Sequence, residues 1–551
     1  MNQDIFGIQN SLTASLQKGL QALGQEALPI TLEKPKDAGH GDLSTPLAMS
    51  LAKKLRQNPL VIAKDLLART EWDPSLIEKA EVAPPGYLNL WLKPSALQSR
   101  LAALIQEGDR YGSNQELKDW HLLLEFVSAN PTGPLNVVNA RAAVLGDAIR
   151  KLVQASGGRI ATEYYINDAG NQARLFGESL AAALSRAQGT HQEAPEGGYQ
   201  GAYMDDLARM ALGQFPASDP KLHDPQFLGE WGMDRMVDGQ RASLERYGVQ
   251  FDRWFSERRG LHDTGLVQRA FQKLKSMGLT YEKDGAVWIK ATEFGGPKDE
   301  VLIKSNGIPA YIVADIAYHL DKLGRGFDRV VNIMGPDHHG HILSMKATHQ
   351  ALGFAPDRFE VLVAQQVSLL SGGEKVKMSK REGKFVTMEE LLDQVGRDAA
   401  RFFFLMRGAN THLDFDIEVA KKQTEENPVF YIQYAHARIC SLIRKGADRG
   451  RRPATEPAQF ALLVEPEEKL LMRELLEFPK WVADSARAYE PHRIIIYLQT
   501  LAADFHLYYS KHRVLDSEEN LSSARLGLAR GVSRVIHNAL SLLGVSAPEQ
   551  M

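Results

Sequence analysis

Lys377-Met-Ser-Lys380 lies in a polar loop, Ser371 to Lys384, with glycines near both ends. Two lysines three apart, with Ser379 between them, could close over a polyphosphate. Mobile cations there would meet charge that develops in a transition state. A solvated basic loop fits the same four residues. Far upstream, Glu125, Ser128, Asn130, Thr132, Asn136 and Asn139 fall within the run His121 to Asp147. Tyr311 and Asp315 are four apart and share a helical face. On pattern alone an amphipathic surface explains that pair better. Gly335-Pro-Asp-His-His-Gly-His341 gathers Asp337, His338 and His341 in one loop. Three histidines in four residues suggest metal, but no carboxylate or cysteine stands at a familiar ligand spacing. No metal is expected.

The elements that must position these groups follow from periodicity. Leu122 to Val127 reads as a buried strand, and Ser128-Ala-Asn-Pro-Thr-Gly-Pro134 as a turn. Val138, Ala142, Leu145, Ile149 and Leu152 then recur on one helical face. Strand, tight turn and helix start is where α/β proteins set phosphates, against the N–H groups of a helix N-terminus. A second such unit is Arg329 to Met334, its loop and the helix after it. Ile160 to Ile166 is a further strand, followed by a turn-like Asn167 to Gln172. Residues 185–225 break the rhythm and read as an insertion, partly helical at Tyr203 to Leu212. Beyond Met388 the chain reads as almost wholly helical, with no long strand pattern.

The first hundred residues are mixed α/β. On the alternating strand after Val82-Ala-Pro-Pro-Gly86, Tyr87, Asn89 and Trp91 share one face, and Leu88, Leu90 and Leu92 the other. An exposed aromatic beside an amide could stack on an unpaired RNA base and read its edge. A half-buried strand has the same pattern and is the commoner case.

The bulk numbers narrow the class. At 551 residues, 44% hydrophobic and 24% charged, the chain has the composition of a soluble, multidomain protein. No apolar run is long enough for a membrane span, and the first residues read as an amphipathic helix, not a signal peptide. A single cysteine, Cys440, forbids an intrachain disulfide and a cysteine-rich zinc site, and fits a reducing cytoplasm. The formal net charge of −3 gives no hint of nucleic acid, so any such site must be a local basic patch. One spans His436 to Arg452, with Arg438, Arg444, Lys445, Arg449, Arg451 and Arg452 against Asp448. A solvated loop after a helix explains it as well.

Lys377-Met-Ser-Lys380 resembles the KMSKS-type signature of class I aminoacyl-tRNA synthetases, and the opening strand, turn and helix resemble their HIGH-type unit. Glu125-Phe-Val-Ser-Ala-Asn-Pro-Thr-Gly-Pro134, Tyr164-Tyr-Ile-Asn-Asp-Ala-Gly-Asn-Gln172, Gly335-Pro-Asp-His-His-Gly340 and Asn427-Pro-Val-Phe-Tyr-Ile-Gln-Tyr-Ala-His-Ala-Arg438 narrow the resemblance to arginyl-tRNA synthetases. It covers essentially the whole chain. It implies a Rossmann-type catalytic core (116–420, with an insertion near 185–260), an N-terminal α/β tRNA-binding domain (1–115) and a C-terminal α-helical anticodon-binding domain (421–551).

The resemblance also implies ATP-dependent ligation of arginine to tRNA(Arg) by a cytoplasmic monomer, with Mg²⁺ accompanying ATP and tRNA needed for activation. Arginine would be held by Glu125, Asn130, Tyr311, Asp315 and His338. A guanidinium, a planar fork of donors, suits carboxylates and stacking. ATP would meet Pro131, Asn136, Val138, Asn139, Asp337, Lys377, Met378, Ser379 and Lys380, with Lys377, Lys380, Asn136 and Asn139 catalytic. Tyr87 and Asn89 match positions that read a D-loop base; Tyr431, Gln433, Tyr434 and Arg438 would meet the anticodon. One motif departs. Asn136-Val-Val-Asn139 stands where the family has His, a small apolar residue, Gly and His. An asparagine amide can donate to phosphate but cannot become cationic. The alternatives are a catalytically impaired tRNA-binding paralogue and a class I synthetase of other specificity.

Overall fold

The computed structural model describes residues 5–35, 37–190, 192–336, 339–376 and 386–551. The N-terminal part runs α1 (Ile5–Ala22), β1 (Leu43–Thr45), α2 (Leu47–Leu55), α3 (Pro59–Arg69), β2 (Ile77–Ala83), β3 (Tyr87–Leu92) and α4 (Pro94–Glu107). Its antiparallel sheet has the order β1-β3-β2. Leu88, Leu90 and Leu92 face the core, as alternation requires.

The central part begins with β4 (His121–Glu125), α5 (Val137–Ala155) and β5 (Arg159–Ile166). Three helices follow, α6 (Asn171–Ala187), α7 (Ala202–Gln214) and α8 (Pro225–Arg246). They enclose a small apolar core of their own around Phe176, Leu180, Met204 and Leu228. The insertion is therefore more helical than its composition suggests: α8 begins at Pro225, capped by Asp224. The chain continues through β6 (Arg253–Ser256), α9 (Leu266–Ser276), β7 (Thr280–Lys283), β8 (Ala286–Ile289) and β9 (Glu300–Ile303). Next come α10 (Tyr311–Gly324), β10 (Arg329–Met334), α11 (His339–Ala351), β11 (Phe359–Val363), β12 (Val367–Ser371) and β13 (Glu374–Lys375). The part closes with α12 (Met388–Val395), α13 (Arg397–Leu405), β14 (Leu413–Asp416) and α14 (Ile417–Lys421).

Strands β11-β10-β4-β5-β6 form a five-stranded sheet, parallel throughout. Buried on both faces, such strands show apolar runs and not alternation. The order places β4 centrally and reverses the winding beside it, where open α/β sheets bind ligands. One short strand lies within the otherwise helical part. β14 interrupts the helical C-terminal half and pairs in parallel with β12. At four residues it is too short for periodicity to reveal.

Helices α15 (Pro428–Asp448), α16 (Pro466–Ala488), α17 (His492–Lys511) and α18 (Glu519–Leu543) complete the chain. They share one continuous core with the N-terminal part and with α5. A buried junction reinforces this. The fully buried guanidinium of Arg401 pairs with Asp147 of α5 and donates to the carbonyls of Leu543 and Tyr247, each at 3.0 Å. It thus serves one C-terminal carbonyl of α18 and the carbonyl of the residue that caps the end of α8. No helix among the described residues is long and apolar enough to cross a membrane.

His349 on α11 is buried between His319, Phe354 and Phe359, and neither of its ring nitrogens has a partner. Burial first, then Lys322 and Arg358, lowers its pKa from 6.5 to about 3. The folded state therefore takes up this proton only below the pH at which the unfolded chain does. Its stabilising effect is complete above about 6.5 and is lost as pH falls toward 3. At about 1.4 kcal/mol per pKa unit this amounts to roughly 4–5 kcal/mol. His349→Phe should remove that share, so that between pH 7 and 4 the wild type loses more stability than the variant. Denaturant melts with parallel pH dependence would contradict this.

Candidate active site

The sheet register builds the site. Asn332 of β10 pairs with Glu125 of β4, Glu125 with Glu163 of β5, and Glu163 with Arg253 of β6. Residues paired in register point to one face, so two carboxylates stand side by side near the C-terminal strand ends. Both are buried, and buried charges require partners. Helix α10 supplies them. Lys322, fully buried, pairs with Glu125 and donates to Asn332 Oδ1 at 3.1 Å. Arg325 grips Glu163 through two bonds of 2.7 and 2.9 Å, and the Tyr318 hydroxyl donates to it at 2.7 Å. Burial, then Glu125 and Glu163, pushes the Tyr318 hydroxyl well above its usual range, so it remains a donor.

The turn after β4 is strained. Val127 has φ 68° and Ser128 φ 42°. A β-branched residue in the left-handed region is an outlier of the kind that collects at functional sites. Several bonds hold it. Ser128 Oγ donates to Glu125 Oε1 at 2.9 Å and accepts from Tyr165 N at 3.1 Å. The Gln240 amide of α8 donates to the carbonyls of Asn130 and Gly133 at 3.0 and 2.9 Å. Asn130 is thereby presented to solvent, where its Oδ1 accepts from Asn167 at 3.4 Å.

At the start of α10, Tyr311 is 74% exposed and reaches toward Gly170 of the Asn167–Gln172 segment. Asp315, one turn on, is half-buried. Tyr165 ties the pocket together. Burial, and then the charges of Glu257, Asp315 and Glu125, push its hydroxyl far above the usual tyrosine range. Three carboxylates thus act on one ring at the strand ends, Glu125 paired with Lys322 and Glu257 bonded to His262 at 3.0 Å, a setting that suits a cationic ligand. The sequence reading did not single out Tyr165, Glu257 or Lys322. Tyr165 lies inside a quoted motif and Glu257 directly after β6; nothing local marks Lys322.

The start of α5 corrects one expectation. Asn136 is the N-cap: its Oδ1 accepts from Val138 N at 2.9 Å and Asn139 N at 3.1 Å. Asn139 Oδ1 accepts in return from Asn136 N at 3.1 Å. This reciprocal cap occupies two of the first-turn N–H groups, those of Val138 and Asn139, that the strand-turn-helix pattern offered to phosphate. The side-chain NH₂ groups of Asn136 and Asn139 remain as donors instead. Pro131 is buried, and Val138 is half-buried against the core. Asn136 also bridges to Thr387, and Met388 N donates to Leu135 O at 2.8 Å. The far end of the lysine loop is therefore stapled to this helix start. Lys377, Met378, Ser379 and Lys380 themselves, with Asp337 and His338, lie outside the described residues.

The RNA-reading expectations divide. Tyr87 is half-buried, whereas Asn89 is buried and its Oδ1 accepts from Ser44 at 2.7 Å. The expected pair, an exposed aromatic beside a base-reading amide, is thus corrected at the amide: the β1–β3 pairing turns Asn89 into the sheet. Gln433 is also corrected. It is buried and donates to Asp398 at 3.1 Å and to the Ser546 carbonyl at 2.9 Å, joining α15 to α13 and the C-terminus. By contrast, Tyr434 is exposed, and the Arg438 guanidinium lies 4.9 Å from its ring and 5.0 Å from that of Tyr509. Tyr431 packs on His506 nearby. Part of the basic patch beyond Arg438 is internally spent: Arg449 pairs with Asp516 at 2.8 Å and Arg451 donates to Ser517 O at 2.8 Å.

Three family models match the chain: an arginyl-tRNA synthetase N-terminal domain over residues 8–92, a class I (R) tRNA synthetase catalytic domain over 221–417 and a DALR anticodon-binding domain over 432–551. An arginine–tRNA ligase of Desulforamulus reducens is 43% identical, the match covering 99% of this chain and 100% of that one. One of Carboxydothermus hydrogenoformans is 44% identical over 99% of each. Among solved structures, a Campylobacter jejuni protein described as a putative arginyl-tRNA synthetase superposes with a TM-score of 0.76 at 35% identity, covering 84% of this chain and 100% of its own. The Thermus thermophilus arginyl-tRNA synthetase, at 24% identity and a TM-score of 0.77 over 98% of this chain and 100% of its own, shares the fold. With relatives this similar along its whole length, the chain belongs to the arginyl-tRNA synthetase family.

Proposed function

We infer that the chain ligates L-arginine to tRNA(Arg) at the expense of ATP. Full-length relatives bearing that activity support this, and nothing in the comparisons favours a non-catalytic paralogue or another amino acid. The observation that carries the reading is the convergence of Glu125, Asp315 and Glu257 on Tyr165, beside a capped helix start.

In this proposal Glu125, Asn130, Tyr311, Asp315 and His338 hold arginine, and Glu257 and Tyr165 complete the acidic wall. The Asn136 and Asn139 amides face the ATP phosphates, with Pro131, Val138, Asp337, Met378 and Ser379 lining the nucleotide. The arginine carboxylate attacks the α-phosphate, giving arginyl-adenylate and pyrophosphate. The 3′-terminal hydroxyl of tRNA then takes the arginyl group. No protein nucleophile is required, so positioning and charge stabilisation set the rate. Lys377 and Lys380 meet the departing pyrophosphate. Mg²⁺ arrives bound to the ATP phosphates.

The division at 1–115, 116–420 and 421–551 assigns the outer parts to tRNA. Tyr87 stacks on a base, with Asn89 holding its strand. Tyr431, Tyr434 and Arg438 form the anticodon platform, and Gln433 anchors it. A cytoplasmic monomer is the proposed form. Charging tests the proposal: with ATP, arginine and tRNA(Arg), arginyl-tRNA should accumulate and pyrophosphate exchange should require tRNA. Neither product in the presence of tRNA would contradict it.

A further inference from the structure

A cavity of about 510 Å³ opens between α8 and the edge strand β6, lined by Asp168, Ser256 and four arginines, Arg235, Arg241, Arg253 and Arg259. Ser256 lines it, while the next residue, Glu257, belongs to the acidic pocket. The two spaces are thus neighbours across the end of one strand.

The charges in the cavity sort cleanly. Arg259 grips Asp234 at 2.6 and 2.8 Å. Arg235 pairs with Asp238 at 3.1 Å. Arg253 lies 3.3 Å from Asp321 and 3.5 Å from Glu163. Asp168 accepts from Ser256 Oγ at 2.6 Å and Arg258 N at 2.9 Å. Arg241 differs from the other three arginines. Exposed on α8, it lies over the Trp254 ring at 4.7 Å and has no carboxylate partner among the described residues. The opposite face of that indole is covered by Tyr164, at 4.2 Å, so the ring is a seat for the guanidinium and leaves no room for a stacked base. Asp234 and Asp238 are paired with arginines, whereas Asp168 accepts from uncharged donors, Ser256 Oγ and Arg258 N. Arg241 is the cavity arginine left without a carboxylate among the described residues, and it is held over an aromatic ring beside the acidic pocket, in a protein of net charge −3. A guanidinium so placed is suited to a phosphate oxygen pair.

We propose that this cavity receives a backbone phosphate of the tRNA 3′ strand, with Arg241 as its cation. This rests on the reading of the chain as a tRNA ligase. The reacting hydroxyl ends a polyanionic single strand, and the phosphates behind it must pass the rim of the pocket. Arg241 is a positioning residue: it sets where the strand lies and does not touch the reacting atoms. A free phosphate or pyrophosphate ion offers the same chemistry, and the experiment separates the two.

The test is tRNA binding by fluorescence anisotropy between about 50 and 200 mM salt, for wild type, Arg241→Ala and Arg241→Lys. No turnover is needed, so the result is readable even if arginine charging fails. Arg241→Ala should raise the tRNA Kd several-fold and flatten the slope of log K against log salt by about 0.7, the value for one single-stranded phosphate. Arg241→Lys should keep the slope. On tRNA lacking its four 3′-terminal nucleotides, wild type and Arg241→Ala should bind alike. A purely structural role for Arg241 would not change the slope. An unchanged slope with intact tRNA would overturn the proposal, as would an equal change on the truncated tRNA. Weakened inhibition by inorganic pyrophosphate, with tRNA binding unaffected, would give the cavity to a free anion and overturn it too.

Discussion

Glu125→Gln should lower kcat/KM for arginine by about 10³-fold, roughly 4 kcal/mol, while leaving KM for ATP near the wild-type value. The carboxylate is one of three negative charges around Tyr165, and a neutral amide gives an arginine cation nothing to pair with. The substitution has a second consequence. Lys322 has no exposed side-chain surface, and removing its partner leaves a buried charge uncompensated, at a cost of about 3–5 kcal/mol. Loss of activity and loss of fold would then be confounded in the single variant. Glu125→Gln combined with Lys322→Met separates them, because the pair is replaced by uncharged groups of similar size. The double variant should melt near the wild-type temperature and still fail to use arginine efficiently. If it recovers both stability and arginine turnover, Glu125 serves the fold alone.

Lys380→Ala should reduce turnover by about 10²–10³-fold, equivalent to roughly 3–4 kcal/mol, with the KM for tRNA little changed. A cation directed at departing pyrophosphate acts mainly in the transition state. Its loss therefore appears in kcat and not in ground-state binding. Beyond the loop the chain is anchored at the same helix start: Thr387 bridges to Asn136, itself the N-cap of α5. In the proposed mechanism the Asn136 and Asn139 amides are uncharged donors, which leaves a larger share of the charge compensation to the lysines. A parallel fall in tRNA affinity would instead make Lys380 an RNA contact.

Much of this arrangement was legible in the sequence because it is local. The strand-turn-helix from His121 onward, the helical C-terminal part and the Tyr311/Asp315 spacing depend on residues within a few turns of one another. What escaped depends on distant pairings. Lys322 meets Glu125 across 197 residues, and helical spacing assigns Lys322 no special role. Asn89 alternates correctly on its strand, yet the neighbouring strand supplies Ser44 and buries its amide. Gln433 reads as one member of a polar helix face until Asp398 and Ser546 are brought against it. The two asparagines of the altered motif carried a cue that was available: Asn is a preferred N-cap, and the pair Asn136/Asn139 has capping-box spacing. That reading explains how the helix start tolerates the loss of the family's histidines.

The central claim is that an acidic pocket selects arginine by its charge. Its most direct measurement is charging of tRNA(Arg) by the wild-type protein with arginine and with citrulline, which replaces the guanidinium by a neutral urea of similar shape. The pocket carboxylates should discriminate by about 10⁴-fold or more in kcat/KM, because a neutral urea cannot supply the charged donors that a site built for a guanidinium requires. Comparable use of the two amino acids would contradict the pocket described here.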